Sequence, residues 1–492
     1  MPKAETKVFF EIDKNNNFGE WFNEIVALAE IVDKRYPVKG MDIFLGYGYA
    51  IHDKIMRTLE DLFDNTDIPH EKVLFPTLIP EDEFSKEADH IKGFEDSVYW
   101  ITHGGFDKLD RRLIMRPTSE VAMYPWFSLK IRSHSDLPVK IYQTCSVFRY
   151  ETKMTKSLIR VREIPWNEGH TAHATWEEAR AHIDEVWDCY HGTFDEMGIT
   201  GLHLVRPDWD KFPGGEFTTV LDAIMPNGMV LQCAGNHLLG QKFAKVFDIK
   251  YKKPEGGKEH VYQTCYGVST RLLAHLLAQH GDDKGLCIPY GLAPIQVVIV
   301  PILYKKTREK VLERVEEIRK DLRQHKIRVK VDLSDKQPGA KFYFWEMKGV
   351  PIRLEIGSRD IDKGKATVFR RDTGEKLEIP FDDLPKEIPL LGDQILKNLR
   401  QKAEEDLQRA IHSANTLEET RNLLSEKGGF VRVPLCTVTD ASGKECDETI
   451  KEHTGGEVRG PLYPEPEKAD KGSTCISCGK PAPILAYIAK AY

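Results

Sequence analysis

The chain has 492 residues, of which 41% are hydrophobic, 30% charged and 10% aromatic, and this length allows about three domains. Its 77 acidic and 70 basic residues give a formal net charge of −7, which excludes a basic chain that coats nucleic acid but allows a local basic face. No run of about 18 apolar residues occurs, and the opening MPKAETK has no apolar signal core. We therefore expect a cytoplasmic protein without a membrane span.

Apolar periodicity and turn residues divide the chain into three predicted parts. Residues 1–290 indicate one large α+β domain, with helices over 50–63 and 268–280 and strands over 73–75, 140–149, 159–165, 218–223 and 229–233. Residues 291–396 alternate strand and helix, with strands over 296–301, 328–333 and 352–356, helices over 306–325 and 341–348, and a hairpin turn at 372–374. A mostly helical stretch is predicted over 385–426, across the start of the third part, residues 397–492. The remainder of that part is a cysteine-bearing tail.

Four of the nine cysteines lie near the end of the sequence: Cys436, Cys446, Cys475 and Cys478. The last two have the spacing that places two thiolates on one tetrahedral ion, and the first two would complete the site. A redox pair and four unliganded thiols are the alternatives. A redox pair needs a strand before it and a helix after it, which the neighbouring residues do not predict. We therefore predict a closed, structural zinc site.

His170 and His173 are a second candidate metal pair. Their three-residue step suits one face of a helix, but residues 166–169 show no helical pattern. We therefore favour a role in binding or packing over metal ligation.

Charged side chains concentrate on a predicted hairpin of the large domain, where Arg149 and Glu151 lie beside Arg160 and Arg162. Guanidinium groups bind phosphate oxygens, although a solvated ion-pair ladder explains the hairpin equally well. Arg271, in the first turn of an apolar helix, adds a second position for an anion. The sequence has neither a P-loop nor a GxGxxG after a strand, so we expect a nucleoside triphosphate site of another kind.

These residues resemble those of a known family. Pro76, the segment FRYE at 148–151 and the segment GVSTR at 267–271 resemble the three signature motifs of class II aminoacyl-tRNA synthetases. The segments RPTSE at 116–120, WNEGHTAH at 166–173 and KFPGGE at 211–216 are similar to those of prolyl-tRNA synthetases of the archaeal and eukaryotic type. The resemblance covers almost the whole chain, in the family's order.

The resemblance implies an α+β fold, with an antiparallel-sheet catalytic domain over 1–290, a mixed α/β anticodon-binding domain over 291–396 and a small α/β zinc-binding domain over 397–492. It implies a homodimer that attaches proline to tRNA(Pro) in two steps, ATP-dependent formation of prolyl-adenylate and transfer to the tRNA 3′ end. ATP with Mg²⁺ would be a substrate, and Zn²⁺ would be structural. The editing insertion of bacterial relatives is absent between residues 168 and 269.

The same resemblance assigns individual residues. Arg149 and Arg271 would be catalytic. The proline-binding residues would be Thr118, Glu120, Arg149, Trp166, Glu168, His170 and His237. The ATP-binding residues would be Arg149, Glu151, Arg160, Gln232, Gly235, Ser269 and Arg271, with Gln232 also contacting magnesium through ATP. The anticodon would be bound by Lys341, Phe342, Glu346, Arg353 and Arg359.

Two features leave alternatives open. Gly235 stands where the family usually has threonine, which is the one feature that favours a module that binds proline or tRNA without catalysis. Glu120 follows Thr118 and Ser119, an arrangement that also occurs in helix capping. A metal hydrolase that uses His170 and His173 is a third hypothesis.

Overall fold

The computed structural model describes residue 10 and residues 12–86, 97–152 and 154–492. The opening residues 1–9, which we expect to carry no signal core, lie outside this set. Within the described ranges, no helix combines the length and the apolar character that crossing a membrane requires.

The first part of the chain mixes helices with a large sheet. Its described helices are α1 (Phe18–Leu28), α2 (Gly46–Asp64), α3 (Glu81–Phe84), α4 (Glu120–Lys130), α5 (Trp176–Met197), α6 (Lys242–Val246) and α7 (Arg271–His280). Its described strands are β1 (Val32–Asp33), β2 (Ile43–Phe44), β3 (Glu71–Lys72), β4 (Leu78–Pro80), β5 (Tyr99–Gly104), β6 (Asp107–Met115), β7 (Val139–Phe148), β8 (Glu163–His173), β9 (Leu202–Val205), β10 (Phe217–Ile224), β11 (Val230–Gly240), β12 (Lys250–Lys252), β13 (Lys258–His260) and β14 (Tyr262–Ser269).

A seven-stranded sheet organises this part, in the order β3-β7-β8-β14-β11-β10-β9. Only the short pair β3 and β7 is parallel, and all other neighbours are antiparallel. Helices α2, α5 and α7 contribute to one apolar core that covers one face of the sheet. Helix α2 buries Ile51, Ile55, Leu59 and Phe63, which recur every four residues. The opposite face is left to form a cavity.

Three local predictions for this part are wrong. The strand expected over 73–75 lies at Glu71–Lys72, because the Phe75 backbone N–H donates to the side chain of Gln143 at 2.9 Å instead of to the backbone of the neighbouring strand β7. The strand expected over 159–165 begins only at Glu163, because the Arg160 N–H turns back to the Lys156 carbonyl at 2.8 Å. Arg160 and Arg162 therefore lie in a loop rather than on a strand.

The third error concerns the start of the last helix. Ser269 is the final residue of β14, and the helix begins at Arg271 after Thr270. The Ser269 hydroxyl still accepts from the Arg271 N–H at 3.3 Å. The strand therefore extends two residues into the segment that the apolar pattern assigns to the helix.

The second part matches its predicted alternation of strands and helices. Its described elements are β15 (Val297–Pro301), α8 (Arg308–Gln324), β16 (Val329–Val331), α9 (Pro338–Met347), β17 (Ile352–Ile356), α10 (Ser358–Lys363), β18 (Lys365–Arg370), β19 (Lys376–Pro380) and α11 (Leu384–Arg409). The sheet order is β16-β15-β17-β18-β19, parallel at first and antiparallel after β17. Helix α11 runs without interruption across the boundary predicted at 396/397.

The third part is a small sheet with two helices. Its described elements are β20 (Ile411–Ser413), α12 (Leu417–Glu426), β21 (Phe430–Leu435), α13 (Ala441–Thr454), β22 (Glu457–Gly460) and β23 (Ile484–Ala489). The strand order is β20-β21-β23-β22. Strand β20 interrupts the stretch over 385–426 that we predict to be mostly helical.

The third part covers the β9 edge of the large sheet. The Val205 N–H donates to the Pro461 carbonyl at 2.9 Å, and the Tyr463 N–H donates to the His203 carbonyl at 2.9 Å. Gly460 permits this approach because its φ is +117° and a Cβ there would lie 1.8 Å from the Val205 carbonyl oxygen. An open sheet edge is thereby paired.

Three buried histidines lie behind the large sheet. The ring of His182 on α5 is 5.1 Å from the ring of His70 and 5.1 Å from that of His173. Among the described residues, both ring nitrogens of His182 have no hydrogen-bond partner. Burial, and then the charge of Lys140, lower the pKa of His70 to about 4. Burial and nearby positive groups lower the pKa of His173 to about 3 and hold that of His182 well below its ordinary value.

We predict that Gly460→Ala lowers the free energy of unfolding by at least about 3 kcal/mol, since backbone must move to admit the methyl group. Gly472→Ala is the matched control, because Gly472 also has a positive φ, +94°, but has no atom within 4 Å of the added Cβ. In the control, the free energy of unfolding should fall by only about 1 kcal/mol, from backbone strain alone. Urea unfolding of both variants measures the difference, and equal losses would contradict the close approach of the two strands.

We predict that the stability of the protein falls as the pH drops below 6.5. Each of these histidines has a depressed pKa in the folded state, so its contribution to stability is complete above pH 6.5 and is lost as the pH falls from there to its folded pKa, about 4 for His70 and about 3 for His173. His182→Phe should remove about one proton, or about 1.4 kcal/mol per pH unit, from the slope of unfolding free energy against pH near pH 5. Urea unfolding at several pH values measures the slope, with pH 8 as the internal control. An unchanged slope at pH 5 would contradict the neutral, buried state of His182.

Candidate active site

A cavity of about 540 Å³ opens on the face of the large sheet that the helices leave free. Residues from β8, β10, β11 and β14 line it, together with residues of the adjoining loops and the first residues of α4 and α7. It brings together every residue that the sequence assigns to proline or ATP: Thr118, Glu120, Arg149, Glu151, Arg160, Trp166, Glu168, His170, Gln232, Gly235, His237, Ser269 and Arg271. Their individual roles stay predictions.

A buried carboxylate, Glu168, lies at one end of the cavity. Its Oε1 accepts from Gln143 Nε2 at 2.8 Å and from the Ser119 hydroxyl, and its Oε2 lies 3.3 Å from His170 Nε2. Burial by itself raises the pKa of Glu168, but the hydrogen bonds from His170, Ser119 and Gln143 lower it further than burial raises it. Glu168 is therefore ionised, and hydrogen bonds from protein groups take the place of water around its carboxylate.

The pKa of His170 shifts in the opposite direction. Burial lowers it, but the hydrogen bond to Glu168 and the charges of Glu120 and Glu168 raise it more, so the net shift is upward. The Tyr124 hydroxyl contacts His170 Nδ1 at 3.2 Å and fixes the ring. This end of the cavity thus favours positive charge.

A second buried carboxylate, Glu120, is the first residue of α4 and is 1% exposed. The Thr118 hydroxyl donates to its Oε2 at 2.5 Å. Ser119 makes no side-chain capping bond to the helix, because its hydroxyl donates to Glu168 instead. The structure therefore does not support helix capping as the reason for this Thr-Ser-Glu sequence.

Two half-buried guanidinium groups also line the cavity: Arg149 lies near the charges of Glu120 and Glu168, and Arg271 lies beyond it. Arg149 lies with its guanidinium carbon 5.5 Å from the centre of the Trp166 ring, and its Nε donates to the Pro117 carbonyl at 3.2 Å. Arg271 donates from Nε to the Ile159 carbonyl at 3.0 Å. Burial, and then the charge of Arg149, lower the pKa of Arg271 to about 10. An anion placed between these cations would relieve their repulsion.

Gly235 lies on β11 at the wall of the cavity. A Cβ at this position would lie 3.2 Å from His237 Nε2 and 3.3 Å from Gln232 Nε2, so a side chain there would enter the cavity beside them. His237 Nδ1 is 2.9 Å from the Thr218 hydroxyl, and burial lowers its pKa to about 3, which keeps the ring neutral.

The structure does not bring His170 and His173 together. They lie three residues apart on β8, so their side chains point to opposite faces of the sheet. His173 bonds the Thr171 hydroxyl at 2.8 Å behind the sheet. The geometry gives no support to a metal hydrolase that uses this pair.

Sequence analysis does not identify two residues here, Arg206 at the cavity wall and its partner Asp222. Arg206 donates from Nη2 to Gln232 Oε1 at 3.1 Å and forms a two-pronged ion pair with Asp222 at 2.8 and 3.0 Å. Arg206 follows a short strand, and no motif marks it. Only the register that places Asp222 opposite Gln232 reveals the contact.

The four C-terminal cysteines converge as expected. Their Sγ atoms all lie within 4.8 Å of one another, with Cys436 and Cys446 at 3.7 Å and Cys478 and Cys436 at 3.8 Å. None of them forms a disulfide. Four convergent thiols are the donor set of a tetrahedral structural zinc site.

Three of the residues expected to bind an anticodon contact one another: Arg353 on β17, and Phe342 and Glu346 on α9, the helix that also carries Lys341, whereas Arg359 lies on α10. Arg353 lies 4.2 Å from the centre of the Phe342 ring and pairs with Glu346 at 2.8 Å and Glu355 at 2.9 Å. Lys341 and Arg353 are buried, Phe342 and Glu346 are half-buried, and Arg359 is exposed. Their contact with RNA stays a prediction.

Comparison with known proteins gives consistent matches along the chain. Residues 99–280 match the class II tRNA synthetase core domain (G, H, P, S and T), residues 296–390 an anticodon binding domain, and residues 417–492 the C-terminal domain of prolyl-tRNA synthetase. The proline–tRNA ligase of Methanopyrus kandleri is 48% identical over 476 residues, which are 96% of each chain. That of Methanosarcina mazei is 44% identical over 99% of this chain and 100% of its own.

A solved structure is similar over the same length. Giardia lamblia prolyl-tRNA synthetase in complex with prolyl-adenylate superposes with a TM-score of 0.94 at 41% identity, covering 98% of this chain and 100% of that one.

Proposed function

The chain belongs to the prolyl-tRNA synthetase family, and from this premise we propose that it attaches proline to tRNA(Pro) in two steps. ATP and proline form prolyl-adenylate with release of pyrophosphate, and the prolyl group then passes to the 3′ end of the tRNA. Proline, ATP and tRNA(Pro) are its substrates, and prolyl-adenylate, which the Giardia structure contains, is its intermediate.

One observation supports this function above the others: a single cavity is lined by the buried carboxylates of Glu120 and Glu168 and by the half-buried guanidinium groups of Arg149 and Arg271, with Arg149 near both sets of charges. We propose that Thr118 and Glu120 hold the secondary ammonium of proline, with Trp166, Glu168, His170 and His237 shaping the pocket. Arg149 would contact both the proline carboxylate and the α-phosphate, since it is stacked near Trp166 at the middle of the cavity. The charges that line the cavity therefore match those of the reacting pair.

The chemistry needs placement more than proton transfer. The proline carboxylate oxygen attacks the α-phosphorus, the bond to the pyrophosphate oxygen breaks, and the charge moves to the leaving group. Arg149, Glu151 and Arg160 would hold the nucleotide, while Arg271 with Ser269 would hold its distal phosphates. The tRNA ribose hydroxyl then attacks the prolyl carbonyl and AMP leaves. Preorganised positive charge supplies most of the stabilisation in the first step.

Magnesium would neutralise charge on the phosphates of ATP. Gln232 fits such a contact, because its Oε1 accepts one hydrogen bond from Arg206 and keeps a lone pair toward the cavity. Gly235 removes a hydroxyl that the family usually places nearby, but the charged residues of the site are all present.

Further proposals concern the rest of the chain. The anticodon of tRNA(Pro) would meet the cluster around Arg353, with Lys341, Phe342, Glu346 and Arg359. The four cysteines would hold a structural Zn²⁺ ion. We propose a cytoplasmic homodimer with a catalytic domain over 1–290, an anticodon-binding domain over 291–396 and a zinc-binding domain over 397–492.

Pyrophosphate–ATP exchange without tRNA tests the first step. We predict exchange that requires proline and Mg²⁺, and a loss of at least about 100-fold in Arg149→Ala and in Arg271→Ala, because each removes a positive charge placed at the phosphates. Arg132→Ala, an exposed arginine of the same part of the chain outside the cavity, should exchange like the unchanged protein. Absence of proline-dependent exchange in folded protein would refute the proposed function.

Elemental analysis tests the metal site. We predict about one zinc per chain, lost in Cys478→Ser, together with a lower thermal unfolding temperature, because binding to four thiolates stabilises the fold. Cys189→Ser on α5, outside the cluster, should keep its zinc. Unchanged zinc content in Cys478→Ser would contradict a four-cysteine site.

A further inference from the structure

The third part of the chain reaches the nucleotide end of the cavity through a line of buried polar groups. Arg459 on β22 contacts Asp222 on β10, Asp222 contacts Arg206, and Arg206 contacts Gln232 at the cavity wall. Asp222 is fully buried, Arg206 is 4% exposed and Arg459 is 6% exposed. The contacts of Asp222 with both arginines lie in a region from which water is largely excluded, and the contact of Arg206 with Gln232 is half-buried at the cavity wall.

Asp222 is held by both arginines at once. Its Oδ2 accepts from Arg459 Nε at 2.7 Å and from Arg206 Nη1 at 3.0 Å. Its Oδ1 accepts from Arg206 Nη2 at 2.8 Å and from Arg459 Nη2 at 3.2 Å. Burial alone raises the pKa of Asp222, but the two guanidinium charges lower it to about 2. The carboxylate therefore stays ionised and its orientation is fixed from two sides.

Arg206 is likewise held from two sides. Besides Asp222, its Nη1 donates to the main-chain carbonyl of Arg459 at 3.0 Å. Its Nη2, which donates to Asp222, also donates to Gln232 Oε1 at 3.1 Å. Glu457 and Asp210 balance the remaining positive charge, since Glu457 pairs with Arg459 and Asp210 lies 3.4 Å from Arg206 Nε.

We propose that Arg459 is a positioning residue for ATP: it fixes Asp222 and Arg206, and these fix the side chain of Gln232 in the nucleotide half of the cavity. The inference rests on the proposed function, because it needs ATP in that half. It gives the third part of the chain a role in adenylate formation without any contact with substrate. Removing Arg459 leaves Asp222 with one partner, so Arg206 and Gln232 gain freedom that ATP binding must then remove.

Steady-state pyrophosphate exchange with three variants tests this role. In Arg459→Met we expect the KM for ATP to rise about tenfold while the KM for proline stays within about twofold of the unchanged protein. Arg459→Lys should show a smaller rise, since an ammonium restores the charge but not the two-pronged contact. Arg432→Met is the matched control, because Arg432 pairs with Glu467 at 3.0 Å within the same part of the chain. It should leave both KM values unchanged.

Direct calorimetric titration with ATP provides a readout that does not depend on turnover. It should give the same order of dissociation constants: Arg459→Met weakest, Arg459→Lys intermediate, Arg432→Met equal to the unchanged protein. If the unchanged protein binds ATP but exchanges nothing, the proposed function fails and the titration alone decides the role of Arg459.

Three outcomes would overturn the proposal: an unchanged KM and affinity for ATP in Arg459→Met, an equal rise in the KM for ATP and for proline, or the same effect in Arg432→Met. A purely structural role would lower the active fraction and hence kcat without this selective change in KM. If Arg459→Met does not fold, the test rests on Arg459→Lys. An affinity for ATP equal to that of the unchanged protein in Arg459→Lys would refute the need for the two-pronged contact between Arg459 and Asp222.

Discussion

The placement of two half-buried guanidinium groups, those of Arg149 and Arg271, side by side in one cavity is the constraint on which the rest of the site depends. Taking like charges out of water is unfavourable unless an anion accompanies them. The shift in the pKa of Arg271 to about 10 reports this cost, part of which comes from the charge of Arg149. Hydrogen bonds to main-chain carbonyls, that of Pro117 for Arg149 and that of Ile159 for Arg271, offset part of this unfavourable free energy. Phosphate groups complete the balance when ATP binds.

The antiparallel sheet turns a sequence pattern into a binding surface. Side chains alternate between faces of a strand, so Trp166, Glu168 and His170 on β8 point together into the cavity. His173 points to the opposite face and packs against His182 on α5. One strand thus carries both the pocket and the core behind it, and a one-residue shift in register would exchange them.

The sequence predicted the site better than it predicted the local structure around it. Residues such as Arg149, Glu168 and Arg271 stand in segments whose chemistry and order resemble a family, so their convergence could be expected. The strand boundaries near Phe75 and Arg160 could not, because their backbone hydrogen bonds go to a distant side chain and to a local turn. The periodicity of apolar residues carries no information about these hydrogen-bond partners.

The contacts between the first and third parts were invisible for the same reason. Arg206, Asp222 and Arg459 are separated by up to 253 positions and meet where the two sheets pack together. Gly460 shows a similar limit, because its need for a positive φ arises from the carbonyl of Val205 rather than from its neighbours in sequence. Domain packing therefore added the residues that a motif search could not supply.

The most direct test of the central claim is the affinity of the protein for a non-hydrolysable prolyl-adenylate analogue, measured by calorimetry without tRNA. A cavity built for the reacting pair should bind one analogue per chain at least about 100-fold more tightly than proline or AMP alone, because both charged ends are engaged together. Binding no tighter than AMP would show that the carboxylate end does not recognise the prolyl group, and would contradict the account.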